Sequence, residues 1–178
     1  MFFEKAFNML ETNTDIIWIE LSKYQDSELN QPLAPGKWSA LQHMVHINKS
    51  ERSLLVLLYK AIKNKEPLKG SVLKIRFRSF LYKLSLNNGL KIEAPVFVVP
   101  SNDFLKLEDV KHDFTKTRHD LRQLLSILTD TQKNQFWVYH KNLHAMRAID
   151  ILNFMCFHQN HHQKKIMSLL QGETVKVH

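Results

Sequence analysis

One feature constrains the fold before any other. Near the N-terminus, Phe3, Phe7, Leu10, Thr14, Ile17, Leu21 and Tyr24 recur at strict 4-3 spacing. That rhythm places seven side chains on one stripe of a helix, the seam of a helical bundle. It predicts a first helix over about Glu4 to Glu28, with Thr14 as a polar member of the seam that is either tolerated there or borders a polar pocket. The rest of the chain permits more of the same, because only 4 Gly and 5 Pro interrupt 178 residues. Asn30 to Gly36 contains Pro32, Pro35 and Gly36 and reads as a short turn, so the second helix should return antiparallel to the first.

Ser39 followed three residues later by Gln42 is a capping box that starts the second helix, with Trp38 before it as a hydrophobic staple. This helix should run to about Asn64. Leu54 to Leu58 is apolar on every face and suggests a homodimer contact. Residues from Lys65 to Pro100 break the bundle pattern. Ser71 to Leu86 reads as a short basic helix, stopped by Asn87-Asn88-Gly89. Lys91 to Pro100, bracketed by Pro95 and Pro100, reads as an extended packed strap. Val110, Phe114, Thr117, Leu121, Leu124 and Leu128 mark a third long helix over about Phe104 to Leu128. Thr129 to Leu143 reads as a connection, and a fourth helix should span about Arg147 to Gln171. The expectation is therefore an all-α four-helix bundle formed by residues 1–178 as one domain. A long crossover between helices two and three makes it up-down-down-up.

The fourth helix carries the chemistry. Its apolar residues Ile151, Met155, Ile166 and Leu169 share one face, and the same rhythm lands on His158 and His162. At about 100° per residue, all six fall within roughly 80° of one another. Two imidazoles one turn apart on a helix can present ring nitrogens to one metal ion, whereas a core histidine satisfied by a hydrogen bond needs no metal. His161 lies about 100° round, toward the flank. On the second helix, His43 and His46 both lie off the Leu41, Val45, Leu55, Ile62 stripe, and the pattern alone does not choose between them. Depth allows convergence if the fourth helix runs antiparallel to the second. His46 then lies about 9 Å below the shared end, and His162 and His158 about 12 and 18 Å, with His43 nearer the rim.

Gly36-Lys37-Trp38-Ser39 with His46 eight positions after the Trp, together with His158-Gln159-Asn160-His161-His162, resembles the DinB-like (YfiT-like) superfamily. The Ala94 to Pro100 strap, Arg118 in the third helix and His140 before the last helix also look like family features. The resemblance covers nearly the whole chain. It implies a divalent-metal site of three histidines, carried here by His46, His158 and His162, and so selects His46 over His43. It further implies activities of the kind found in that family. These are S-transfer or isomerisation with a low-molecular-weight thiol, or metal-dependent hydrolysis of a small-molecule substrate. Three imidazoles suit zinc or nickel.

No metalloprotease-type carboxylate separates the paired histidines. Glu51 and Asp150, the nearest acids along the two helices, read as surface charges, and Gln163 as solvated helix surface. The lack of a general base favours thiol chemistry over peptide hydrolysis. Without catalysis, the same site would make a metal- or ligand-binding module.

A net charge of +8 permits an anionic partner, and Lys69 to Lys83 interleaves bases with Phe77, Phe80 and Tyr82. No helix-turn-helix, finger or RNA-binding signature accompanies it, which argues against nucleic acid. The single cysteine, Cys156, excludes an internal disulfide and reads as a packing residue. The first residues lack a signal-peptide layout and no apolar run approaches the ~18 residues of a membrane span, so the expected compartment is the cytoplasm.

Overall fold

The computed structural model describes residues 2–88 and 93–172, with the side chain of Phe2 left aside. Four long helices dominate: α1 (Phe2–Leu21), α3 (Ala40–Asn64), α5 (Leu107–Ile127) and α7 (Ala148–Leu170). Three shorter helices accompany them: α2 (Asp26–Leu29), α4 (Val72–Asn87) and α6 (Asp130–Asn134). A 3-10 turn at Val96–Val98 and a hairpin of β1 (Phe136–His140) and β2 (His144–Arg147) complete the elements. Helix α7 packs against α1, α3 and α4, and α3 packs against α5 and the hairpin. Helix α5 closes on α1 through Trp18 against Phe114 and Arg122 over Phe7. The chain is thus largely α-helical with a four-helix-bundle core.

The first seam holds: Phe7, Leu10, Thr14, Ile17 and Leu21 are all buried. The helix is shorter than its pattern, ending at Leu21, with α2 as a separate turn. The cause is a long-range capping arrangement. Asp26 Oδ1 accepts from Leu107 N at 3.0 Å, which satisfies a free donor in the first turn of α5. Asn30 holds Leu105 on both sides, accepting from its N–H at 3.0 Å and donating to its carbonyl at 2.8 Å. The same contacts start α5 at Leu107 instead of Phe104. The capping box on α3 is formed, with Ser39 N donating to Gln42 Oε1 at 3.0 Å and Gln42 N to Ser39 Oγ at 3.3 Å.

Three expectations fail. The connection after α5 is structured. Thr129 caps α6, and the aromatic and β-branched run Phe136-Trp137-Val138-Tyr139 forms a strand, as its composition favours. Trp137, Val138, Leu143 and Met146 are buried, so the hairpin closes one end of the core and the fold is not purely helical. The strap packs on α3 but is not extended throughout. It turns at Val96–Val98 and buries only Val98 and Pro100, while Val96 and Phe97 are exposed. Its expected start at Lys91, and the expected stop at Gly89, lie outside the described residues. Finally, Glu51 is not a surface charge but one of the most buried residues.

The core is divided in two. One apolar cluster gathers Phe7, Leu10, Leu54, Leu58, Leu121, Leu124, Ile151 and Met155. The other gathers Ile17, Leu21, Leu41, Met44, Ile47, Phe114 and Ile166. Between them, each long helix contributes buried polar residues: Thr14, Glu51, Thr117 and Arg118, and His158, Gln159 and His162. A polar layer therefore crosses the bundle, and the histidines lie along it.

Candidate metal centre

The early turns of α3 meet the later turns of α7. His46 Nε2 lies 3.3 Å from His158 Nε2, and His43 Nδ1 lies 2.9 Å from His162 Nδ1. His46, His158 and His162 are buried, and one nitrogen from each lies within 4.8 Å of the others. This is the set expected from the sequence, drawn from two stretches more than a hundred residues apart.

Each ring has its orientation set by neighbours. His46 Nδ1 donates to the Val98 carbonyl at 3.0 Å, which leaves the Nε2 lone pair pointing at the cluster. The strap is anchored to α3 on both sides of that bond. Lys49 Nζ donates to the Val99 carbonyl at 2.8 Å and Gln42 Nε2 to the Ser101 carbonyl at 2.9 Å. His162 shares its Nδ1 with His43, so its Nε2 is the nitrogen left for a ligand. A ring held through its second nitrogen is the usual arrangement for a metal-binding histidine.

His43 joins the cluster without belonging to the expected ligand set. It is buried beside His162. Position 43 sits one turn before His46 on α3, and that spacing carried the signal. Trp38 is more than a staple. Its ring centroid lies 4.7 Å from that of His46, 5.4 Å from His43 and 6.3 Å from His162, so it covers the cluster.

His158 supplies the test of fit. Its ring stacks on Phe154, and its buried Nδ1 has no hydrogen-bond partner. With the proton on Nδ1, two Nε2 lone pairs face each other at 3.3 Å, which a cation between them relieves. With the proton on Nε2, that N–H donates to His46 instead; Nδ1 is unpaired in either tautomer, so the facing Nε2 atoms and not Nδ1 carry the fit. The donor set and its spacing fit a divalent transition-metal ion.

Electrostatics favour the neutral, ligating form of each ring. Burial pushes His158 and His162 well below the ordinary histidine value, helped by their neighbouring imidazoles. Burial lowers His43 to about 3, with Lys165 adding to the effect. His46 is lowered by burial, partly offset by its bond to Val98. His161 is lowered to about 4 by burial and by Lys165 and Lys164. Its ring lies beside that of His162 at 5.3 Å. With Gln163 and Phe157 it lines a cleft of about 500 Å³ toward α4, which none of the three clustered histidines reaches. Gln163 is thus a partly buried wall and not plain solvated surface.

The acids are engaged elsewhere. Glu51 receives both Nε and Nη2 of Arg118 at 2.7 Å, and Arg118 Nη1 reaches Glu11 at 3.1 Å. Asp150 is held by Arg147 at 2.8 and 3.0 Å. His140 accepts from the backbone N–H groups of Asn142 and Leu143 within the hairpin turn and is not part of the cluster. Cys156 is buried with Sγ 3.5 Å from the Ala6 carbonyl, and burial pushes its thiol up to about 11, as suits a packing residue.

A helical bundle with three buried imidazoles converging from two helices defines a class, that of helical bundles with an internal three-histidine cluster able to hold a divalent cation. Residues 9–166 match the DinB superfamily. The chain belongs to that superfamily. Among solved structures it is similar to YfiT from Bacillus subtilis, described as a probable metal-dependent hydrolase with an unusual four-helix bundle topology. The identity is 17% and the TM-score 0.62, over 96% of this chain and 88% of that one, a likeness of fold. No curated protein matches the chain.

Proposed function

We propose that His46, His158 and His162 ligate one divalent transition-metal ion, zinc or nickel. The protein is then a metal-dependent enzyme acting on a small molecule, either an S-transferase using a low-molecular-weight thiol or a hydrolase. The observation that carries this reading is the meeting of the three ring nitrogens within 4.8 Å in a buried site. When bound, the ion supplies Lewis-acid activation of a water or a thiol. The chain's own residues do the rest. Val98 and His43 fix two of the rings, Trp38 shields the cluster, and burial keeps the imidazoles unprotonated.

The choice of chemistry turns on the carboxylates. Glu51 and Asp150 are both held in ion pairs, so neither is free to serve as a general base. That supports thiol transfer, in which activation of the sulfur needs no carboxylate. The same observation supports a second reading, a metal-binding module without turnover. Assays of zinc- and nickel-loaded protein with a panel of thiols and electrophiles, and with ester and amide substrates, separate the two. Turnover that His46→Ala abolishes establishes the enzyme. A fully loaded protein inert toward both panels establishes the module.

The bundle topology in this reading is up-down-down-up, with a long crossover from α3 to α5. The pairing of His43 with His162 and His46 with His158 supports opposed α3 and α7. Ala6 beside Cys156 and Thr14 beside Gln159 support α1 and α7 running together. The family match over residues 9–166 supports treating residues 1–178 as one domain. Exposed Val56, Leu57 and Tyr59 on α3 support a homodimer through that face. No helix among the described residues is long and apolar enough to cross a membrane, and a single buried cysteine suits the cytoplasm.

A further inference from the structure

Helix α4 has two apolar faces, and the bundle uses only one. Ile75 is buried, and Tyr82 packs against Phe154 and Phe157 of α7. Turned roughly 180° from these, Leu73, Phe77, Phe80 and Leu84 share a stripe about 60° wide. Their exposures are 78%, 61%, 62% and 45%, so the stripe points to solvent. Arg76 lies along one flank of it and Lys74 along the other, while Lys83 turns its Nζ over the Phe157 ring of α7, 5.0 Å from the centroid. Residues 67–88 hold five basic side chains and no acidic one.

A stripe of this size on a monomer surface marks an interaction site, and its flanks specify the partner's charge. A second copy laid on the same face would bring two acid-free basic segments together. Nucleic acid would leave the aliphatic Leu73 and Leu84 without a base-stacking role. An anionic bilayer offers both required chemistries, phosphate at the surface and acyl chain just beneath it. We propose that α4 docks this protein on anionic lipid bilayers. Leu73, Phe77, Phe80 and Leu84 enter the headgroup–acyl boundary, while Lys74 and Arg76 meet lipid phosphates. The inner face of the helix stays on α7, so docking needs no unfolding. It is a peripheral association and is independent of whether the histidine cluster turns over a substrate.

Co-sedimentation of the full chain with vesicles tests this. Binding is expected to phosphatidylglycerol-containing vesicles at low salt, and to be at least roughly tenfold weaker to pure phosphatidylcholine or in about 0.5 M salt. The double substitution Phe77→Glu/Phe80→Glu, at exposed positions, should reduce it more than roughly tenfold while circular dichroism and Tm are retained. A milder variant, Leu73→Gln, should give a smaller loss in the same direction. Failure to bind phosphatidylglycerol vesicles at low salt overturns the proposal, as does binding that both variants leave intact. It is also overturned if the Phe77/Phe80 pair instead dissolves a dimer seen by sedimentation equilibrium. Oligonucleotide binding lost with the same pair, in a protein that ignores vesicles, would assign the face to nucleic acid.

Discussion

At the level of single residues, His43 is the informative position, because it touches a proposed ligand without being one. Its contact with His162 Nδ1 should raise metal affinity by holding that ring in place. His43→Ala should therefore weaken zinc binding by roughly 10- to 100-fold without abolishing it, as read by competition against a chromophoric chelator. Unchanged affinity would reduce the contact to packing. The buried imidazoles also predict a pH dependence. His43 is held near 3 and His140 near 4, while an unfolded histidine titrates near 6.5. The unfolded chain therefore binds the extra protons first. Stability is full above about pH 6.5 and is lost as pH falls toward the folded values, at up to about 1.4 kcal/mol per pH unit for His43 alone. Tm measured from pH 7.5 to 4.5 should fall steadily below about 6.5, whereas a flat profile down to pH 5 would contradict the neutral, buried rings.

At the level of elements, the polar layer does work that apolar packing does not. Arg118 binds Glu51 with two hydrogen bonds, both groups nearly without solvent, and so links α5 to α3. Burial pushes the Glu51 carboxyl up, and the guanidinium opposes that shift. Removing one partner strands the other. Arg118→Ala should cost about 3–5 kcal/mol in urea unfolding, and replacing both by apolar residues of similar volume should cost much less. Equal losses from the single and double variants would show that the pair is not coupled.

The elements also show what the chain made legible. The apolar stripes of α1, α3, α5 and α7 set the bundle because a 3.6-residue period is written in each. The paired histidines could be read because they interrupt one such stripe. Glu51 was misread because a lone charge on a helix is ordinarily solvated. Its partner Arg118 lies on another helix, and no local spacing announces the pair. The break after Leu21 depends on Asp26 and Asn30 reaching Leu105 and Leu107, a contact between distant segments. The β1–β2 hairpin did carry a local sign, the run Phe136 to Tyr139, masked by its position between two helices.

At the level of the whole molecule, the histidines tie α3 to α7 within the polar layer. Metal binding should therefore report on global stability. Saturating zinc should raise Tm, by an increment set by how far free metal exceeds its Kd, and a chelator should reverse the rise. Trp38 lies against three of the four histidines, so cobalt or copper at the cluster should quench part of the tryptophan fluorescence. That quenching should vanish in Trp38→Phe. Quenching that survives the substitution would place the ion elsewhere.

The most direct measurement is the metal content of protein purified without a metal-affinity tag, by elemental analysis of the unaltered chain and of His46→Ala and His158→Ala. Three converging imidazoles predict about one zinc or nickel per chain in the unaltered protein and loss of that metal in both variants. Clearly substoichiometric metal, with a content that neither substitution changes, would contradict the shared-cation account.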